Sequence, residues 1–221
     1  MTGQAPEQFG RRSIRLKGYN YSQAGGYYVT IVTQLRETFF GKICGGEMIF
    51  NEAGRMVNIE WGSLQERFPN IETDVFQVMP NHLHGIIIIH NPEPVGAGLV
   101  PAHATRADLV PAHATRATTA HATRATTRVA PTIGEIVGTF KSITTHKYIQ
   151  GVDEFAWPVF YKKLWQRNYY EHILRDQADT KRIAGYILDN PVNWDQDEEN
   201  PQNPAGAGND PARGRVNGRG D

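Results

Sequence analysis

The stretch Val78-Met79-Pro80-Asn81-His82-Leu83-His84-Gly85-Ile86-Ile87-Ile88-Ile89 decides how this chain is read, because it sets two histidines at alternate positions at the mouth of an apolar run. Successive side chains of a β-strand point to opposite faces, so His82 and His84 share a face and can grip one ion. The preceding Asp74-Val75-Phe76-Gln77-Val78-Met79 reads as a strand, and Pro80-Asn81 as the turn that folds it back. The histidines therefore open the second arm of a hairpin.

Upstream, Tyr27-Tyr28-Val29-Thr30-Ile31-Val32-Thr33 is rich in β-branched and aromatic residues and predicts a buried first strand, punctuated at its start by Gly25-Gly26. Gly41, Gly45 and Gly46 suggest a turn or loop before a short extended piece, Glu47-Met48-Ile49-Phe50, with Cys44 small and structural. From Asn51 the period changes: Met56, Ile59, Glu60, Leu64 and Phe68 recur at helical steps until Pro69. Downstream, Thr132 and Glu135 have the spacing of a capping box, followed by the helical face Ile133, Ile136, Val137, Phe140 and Ile143. Residues 160–175 alternate aromatic and basic side chains, including Lys162, Lys163, Arg167 and Arg175, which suits a strand facing a nucleic-acid backbone. A last helix over residues 176–189 carries Ala178, Ile183, Tyr186 and Ile187 on one side, and Asn190-Pro191 stops it.

The remaining segments look peripheral. Residues 1–18 form a basic arm with Arg11, Arg12, Arg15 and Lys17, read either as a solvated tail or as a contact for backbone phosphates. Within 91–131 the run Leu99-Val100-Pro101-Ala102-His103-Ala104-Thr105-Arg106-Ala107-Asp108 is nearly repeated from Leu109, and His-Ala-Thr-Arg-Ala returns at His121. Such a repeat is too poor in large apolar residues to bury a face, so it reads as a disordered insertion whose removal leaves function intact. Residues 195–221 read as a disordered tail, acidic and then rich in Gly, Pro and Asn. What is left of 19–194 has the size of one domain.

Bulk composition mainly excludes. Of 221 residues, Lys+Arg and Asp+Glu each number 23, so only local clusters can argue for nucleic acid. The single Cys44 allows no internal disulfide, and no apolar run approaches the roughly 20 residues that span a bilayer. A cytoplasmic protein without membrane contact is the expectation.

Neither a Cys-x-x-Cys nor a His-Glu-x-x-His accompanies the histidine pair, so an open site fits better than a closed zinc site. In an open site substrate oxygens complete the shell of Mg²⁺ or Mn²⁺, the layout that serves phosphoryl transfer. Tyr186 and Asn190, four apart on the last helix, can bring a phenolic nucleophile and an amide oxygen to it. The plainer alternative makes Tyr186 a core aromatic and Asn190 a C-cap.

These residues resemble a known family. Met79-Pro80-Asn81-His82-Leu83-His84-Gly85 resembles the histidine-hydrophobic-histidine (HUH) motif of single-tyrosine transposases, and Tyr186-Ile187-Leu188-Asp189-Asn190-Pro191-Val192 resembles the tyrosine helix of their REP-associated branch. The segment from Leu164 to Arg175 is similar to the one leading into that helix. The resemblance implies an α+β fold, an antiparallel sheet flanked by helices in the ferredoxin-like or RNA-recognition manner. It implies metal-dependent nicking and rejoining of single-stranded DNA, often near a hairpin, by a monomer or homodimer. His82, His84 and Asn190 would hold Mg²⁺ or Mn²⁺, and Tyr186 would form a 5′-phosphotyrosyl link. Tyr169 and Tyr170 are rival nucleophiles, Tyr170 the main one, although Ile173 and Leu174 stand where an amide would be needed, and His172 can orient a phosphate or be structural. An inactive hairpin DNA- or RNA-binding protein of the same fold is the competing reading.

Overall fold

The computed structural model describes residues 23–91 and 130–203; the basic arm with Arg11, Arg12 and Arg15 and almost all of the repeat insertion lie outside the described residues. Four strands form one antiparallel sheet: β1 (Gly25–Val32), β4 (Ile71–Val78), β5 (His82–Ile89) and β6 (Tyr170–Leu174), in the order β4-β5-β1-β6. Helix α1 (Glu52–Gly62) and the short α2 (Leu64–Arg67) lie between β1 and β4, and α3 (Ile133–Phe155) joins β5 to β6, which is the split β-α-β of the ferredoxin-like fold. The expected fold class is therefore what the chain adopts.

Period-two alternation gives this sheet two unlike faces. Tyr27, Val29 and Ile31 of β1 stand opposite Ile87, Gly85 and Leu83 of β5, on the side where Val57 and Trp61 of α1 and Ile136, Val137 and Phe140 of α3 build the main core. Gly85 is needed there, because a Cβ at that position would lie 2.4 Å from the Trp61 ring. On the other side Tyr28, Thr30 and Val32 face Ile86, His84 and His82, and α4 (Gln177–Asp189) closes over them through Ile183 and Ile187.

Helices α1 and α3 start where their caps predict. The Asn51 side chain accepts from the Gly54 N–H at 2.8 Å, and Thr132 with Glu135 makes the complete capping box. The expected apolar face is only partly right: Glu60 and Leu64 are buried, but Ile59 is 61% exposed, and Ala53, Val57 and Trp61, outside that expectation, are buried. Burying Trp61 fixes the helix rotation, and Glu60 beside it is buried in an ion pair with Lys147 of α3.

Three further readings change. Residues 41–50 form a complete hairpin, β2 (Gly41–Cys44) and β3 (Glu47–Phe50), where only the second arm was expected, and Cys44 on it is exposed. The strand expected over 160–175 is confined to β6. Lys162 takes a left-handed φ of 61°, and the Lys141 ammonium holds the carbonyls of Gln166, Arg167 and Asn168 at 3.0, 3.5 and 3.0 Å, outside any sheet ladder. Finally, residues 195–203, expected as the start of a disordered tail, are folded, with Asp197, Glu199 and Asn200 buried. Their Asx turns explain it: Asp197 Oδ1 accepts the Glu199 N–H at 2.6 Å, and Asn200 Oδ1 accepts the Gln202 N–H at 2.9 Å.

Candidate metal centre and its tyrosine

The site lies on the α4 side of the sheet. His82 and His84 are both buried at the start of β5, and their Nε2 atoms approach to 3.0 Å. His82 Nδ1 meets Asn81 Oδ1 at 2.8 Å, and His84 Nδ1 meets the hydroxyls of Tyr28 and Thr30 at 2.8 and 2.9 Å. The outer nitrogens are thus engaged by the fold, and the inner ones converge.

Residues 194–203 run across this point as a strap. Trp194 stacks on the His82 ring with centroids 5.9 Å apart, and Asp197 brings Oδ2 to 3.8 Å from His82 Nε2 and 3.9 Å from His84 Nε2. Two contacts on Glu199 pin the strap: Arg36 Nε donates to its carboxylate at 2.7 Å, and Asn81 Nδ2 donates to its carbonyl at 2.7 Å. Burial opposes ionisation of Asp197, but His84, His82 and the Asn190 amide together outweigh it and hold the carboxyl well below the usual carboxylate range.

Tyr186 and Asn190 reach the same place from α4. The Tyr186 Oη lies 3.5 Å from His84 Nε2, its ring sits edge-on to His84 and Tyr28, and the residue is half-buried. Asn190 Nδ2 donates to Asp197 Oδ2 at 2.8 Å. Its Oδ1 is buried without a hydrogen-bond partner, which costs about 1–3 kcal/mol when nothing meets it.

These residues fit a divalent cation. Adjacent ligands on an octahedral ion with bonds of about 2.1 Å stand about 3.0 Å apart, the separation of the two histidine nitrogens. Among the described residues, His82, His84 and Asp197 are the group able to hold a metal ion, and the orphaned Asn190 oxygen belongs to the amide that touches this group. Asp197 was missed because its stretch reads as acidic linker; Trp194 beside an Asp/Asn-rich run was the available sign that something packs there.

The other expected residues sit apart. Tyr170 stands opposite Thr30 in the β1–β6 register, edge-on to Tyr28, and lines a cavity of about 350 Å³ with Thr30, Val32, Gln166, Tyr169 and Glu199. His172 Nε2 is hydrogen-bonded to Asp179 at 2.9 Å, tying β6 to the first turn of α4. Lys162, Lys163 and Arg167 are exposed around a second cavity of about 450 Å³, lined also by His146 and by the edge of the buried Trp165, and Arg175 is exposed at the end of β6.

Fold and site together define an α+β protein with a ferredoxin-like sheet and a buried His-His-Asp cluster beside a helix-borne tyrosine. The chain belongs to the same family as an uncharacterized protein of Haemophilus influenzae (strain ATCC 51907 / DSM 11121 / KW20 / Rd), to which it is 38% identical over 196 residues, 85% of this chain and 92% of the relative. No family model matches it. Among solved structures it is similar to a REP-associated tyrosine transposase bound to a REP hairpin, with 15% identity, a TM-score of 0.45, and coverage of 81% of this chain and 74% of that one. No described helix is long and apolar enough to cross a membrane.

Proposed function

We propose that this chain is a cation-dependent DNA nicking and strand-transfer enzyme of the transposase type, acting on single-stranded, hairpin-forming DNA through Tyr186. The observation that carries the reading is the Tyr186 Oη 3.5 Å from His84 Nε2, at the edge of the His-His-Asp cluster. A half-buried phenol beside paired imidazoles and a carboxylate is placed to attack a phosphorus lodged there.

His82, His84, Asp197 and the Asn190 oxygen would hold Mg²⁺ or Mn²⁺. Bound there, the ion supplies Lewis-acid neutralisation of the phosphate oxygens. The Tyr186 phenol gives up its proton, its oxygen bonds to phosphorus, and the P–O3′ bond breaks with the 3′ oxygen taking up a proton. A 5′-phosphotyrosyl end and a free 3′-hydroxyl result. Attack by another 3′-hydroxyl reverses the step and releases Tyr186, so the ester conserves the bond energy and no nucleotide is consumed. Lys162, Lys163, Arg167 and Arg175 are the described basic residues offered to the backbone, and Arg11, Arg12 and Arg15 can extend that contact.

The test is a labelled single-stranded hairpin incubated with the protein and Mn²⁺, resolved on a denaturing gel. The expected result is a covalent adduct in the wild type that is absent in Tyr186→Phe and retained in Tyr170→Phe. Cleavage that survives Tyr186→Phe moves the nucleophile to Tyr170 or to water, and binding without cleavage makes the protein an inactive hairpin binder.

A further inference from the structure

We propose that Asn81 is a positioning residue that locks the tautomer of His82, while His84 is left able to change its own. The inference rests on the cation site proposed above and deepens it.

Asn81 is fully buried between two elements and one neighbour. Its Nδ2 donates to the Arg36 carbonyl at 3.0 Å and to the Glu199 carbonyl at 2.7 Å, so both amide hydrogens are used on groups that can only accept. That fixes which end of the amide is oxygen, and the oxygen faces His82 Nδ1 at 2.8 Å. An amide oxygen accepts and never donates, so the His82 proton must sit on Nδ1. In the neutral ring Nε2 then carries the lone pair, and Nε2 is the atom turned toward His84 and Asp197.

His84 is built differently. Its Nδ1 meets two hydroxyls, Tyr28 at 2.8 Å and Thr30 at 2.9 Å, and a hydroxyl can either donate or accept. Without a cation, His84 can take a hydrogen bond at Nδ1 and donate from Nε2 to His82 across the 3.0 Å gap. With a cation, the proton moves to Nδ1, the hydroxyls accept it, and both Nε2 lone pairs face the ion. One ligand is thus preset and the other adapts, which removes the repulsion of two facing lone pairs in the empty site. The same Asn81 amide holds the Glu199 carbonyl, so it also steadies the strap two residues from Asp197.

The test uses the full chain labelled with ¹⁵N at histidine, with long-range ¹H–¹⁵N correlation spectra at a pH where the imidazoles are neutral, before and after Mg²⁺. The His82 and His84 signals are assigned by their loss in His82→Gln and His84→Gln. In the wild type His82 is expected as the Nδ1–H form in both states, whereas His84 changes form when Mg²⁺ binds. In Asn81→Ala, His82 moves toward the Nε2–H form and Mn²⁺ affinity, read by electron paramagnetic resonance, falls about 10- to 100-fold. Asn81→Asp keeps an acceptor for Nδ1–H and keeps the tautomer. A wild-type His82 protonated on Nε2 without metal overturns the proposal, as does a folded Asn81→Ala protein with unchanged tautomer and affinity. If Asn81→Ala does not fold, the wild-type spectra with and without Mg²⁺ decide. The tautomer is read without DNA, so a wild type that forms no adduct fails the proposed function and leaves this measurement standing.

Discussion

At the scale of single residues, two buried charges show how neighbours outweigh or fail to outweigh desolvation. Asp197 stays ionised because imidazoles and the Asn190 amide surround it. Lys141 of α3 has only carbonyl partners and the face of Tyr169, 5.3 Å away, and burial pushes its ammonium down to about 8. An unfolded lysine titrates at roughly 10.4. Between these values the unfolded chain holds a proton that the folded chain has lost, so stability rises with pH across that window. We expect the wild type to gain about 1–3 kcal/mol relative to Lys141→Met between pH 8 and 10.4, read from denaturant midpoints at several pH values. No such drift separates the two proteins below pH 7. Asp197 also marks where residue-level reading ran out. The two histidines and Tyr186 were legible because strand and helix periods place them, whereas a carboxylate in an acidic, proline-flanked run has no period at all.

At the scale of elements, β5 carries two incompatible surfaces on one strand. His82, His84 and Ile86 turn to α4, and Leu83, Gly85 and Ile87 turn to α1 and α3. Gly85 lets Trp61 press on the sheet, and a methyl group there meets the indole at 2.4 Å and Phe76 at 3.2 Å. Gly85→Ala is expected to destabilise by about 1–3 kcal/mol through overpacking. Gly138→Ala in α3, where an added Cβ meets nothing within 4 Å, is expected to be neutral or stabilising by up to about 1 kcal/mol. Chemical denaturation of both variants checks the pair. Strands and helices with strong caps were readable from local pattern; the full buried face of α1 was not, since Ala53, Val57 and Trp61 lie on it and Ile59 does not. Likewise the aromatic and basic stretch before β6 has the composition of a strand, yet its carbonyls bond to a lysine that arrives from α3.

At the scale of the whole molecule, the site is assembled from the beginning of β5, the end of α4 and the strap that follows it, each brought to the α4 side of one sheet. The site residues all lie in 23–91 and 130–203. Replacing 93–129 with a Gly/Ser linker of equal length is expected to leave the unfolding transition and Mn²⁺ affinity unchanged within twofold; a lost transition or lost affinity contradicts this. The α+β class came with the family resemblance; the sequence by itself determined β1, β4, β5 and the long helices in their order, the paired histidines on one face and the tyrosine with Asn190 one turn beyond it. Those follow from periods of two and 3.6 residues, which are local properties of the chain. Tertiary structure alone decided that Asp197 joins the histidines, that Asn81 faces His82 with its oxygen, and that residues 195–203 are folded. Each depends on partners outside the local run, Arg36 and Asn81 far away in sequence and Asn190 at the end of α4, whose hydrogen bonds compensate the burial of polar groups that in isolation would remain in water.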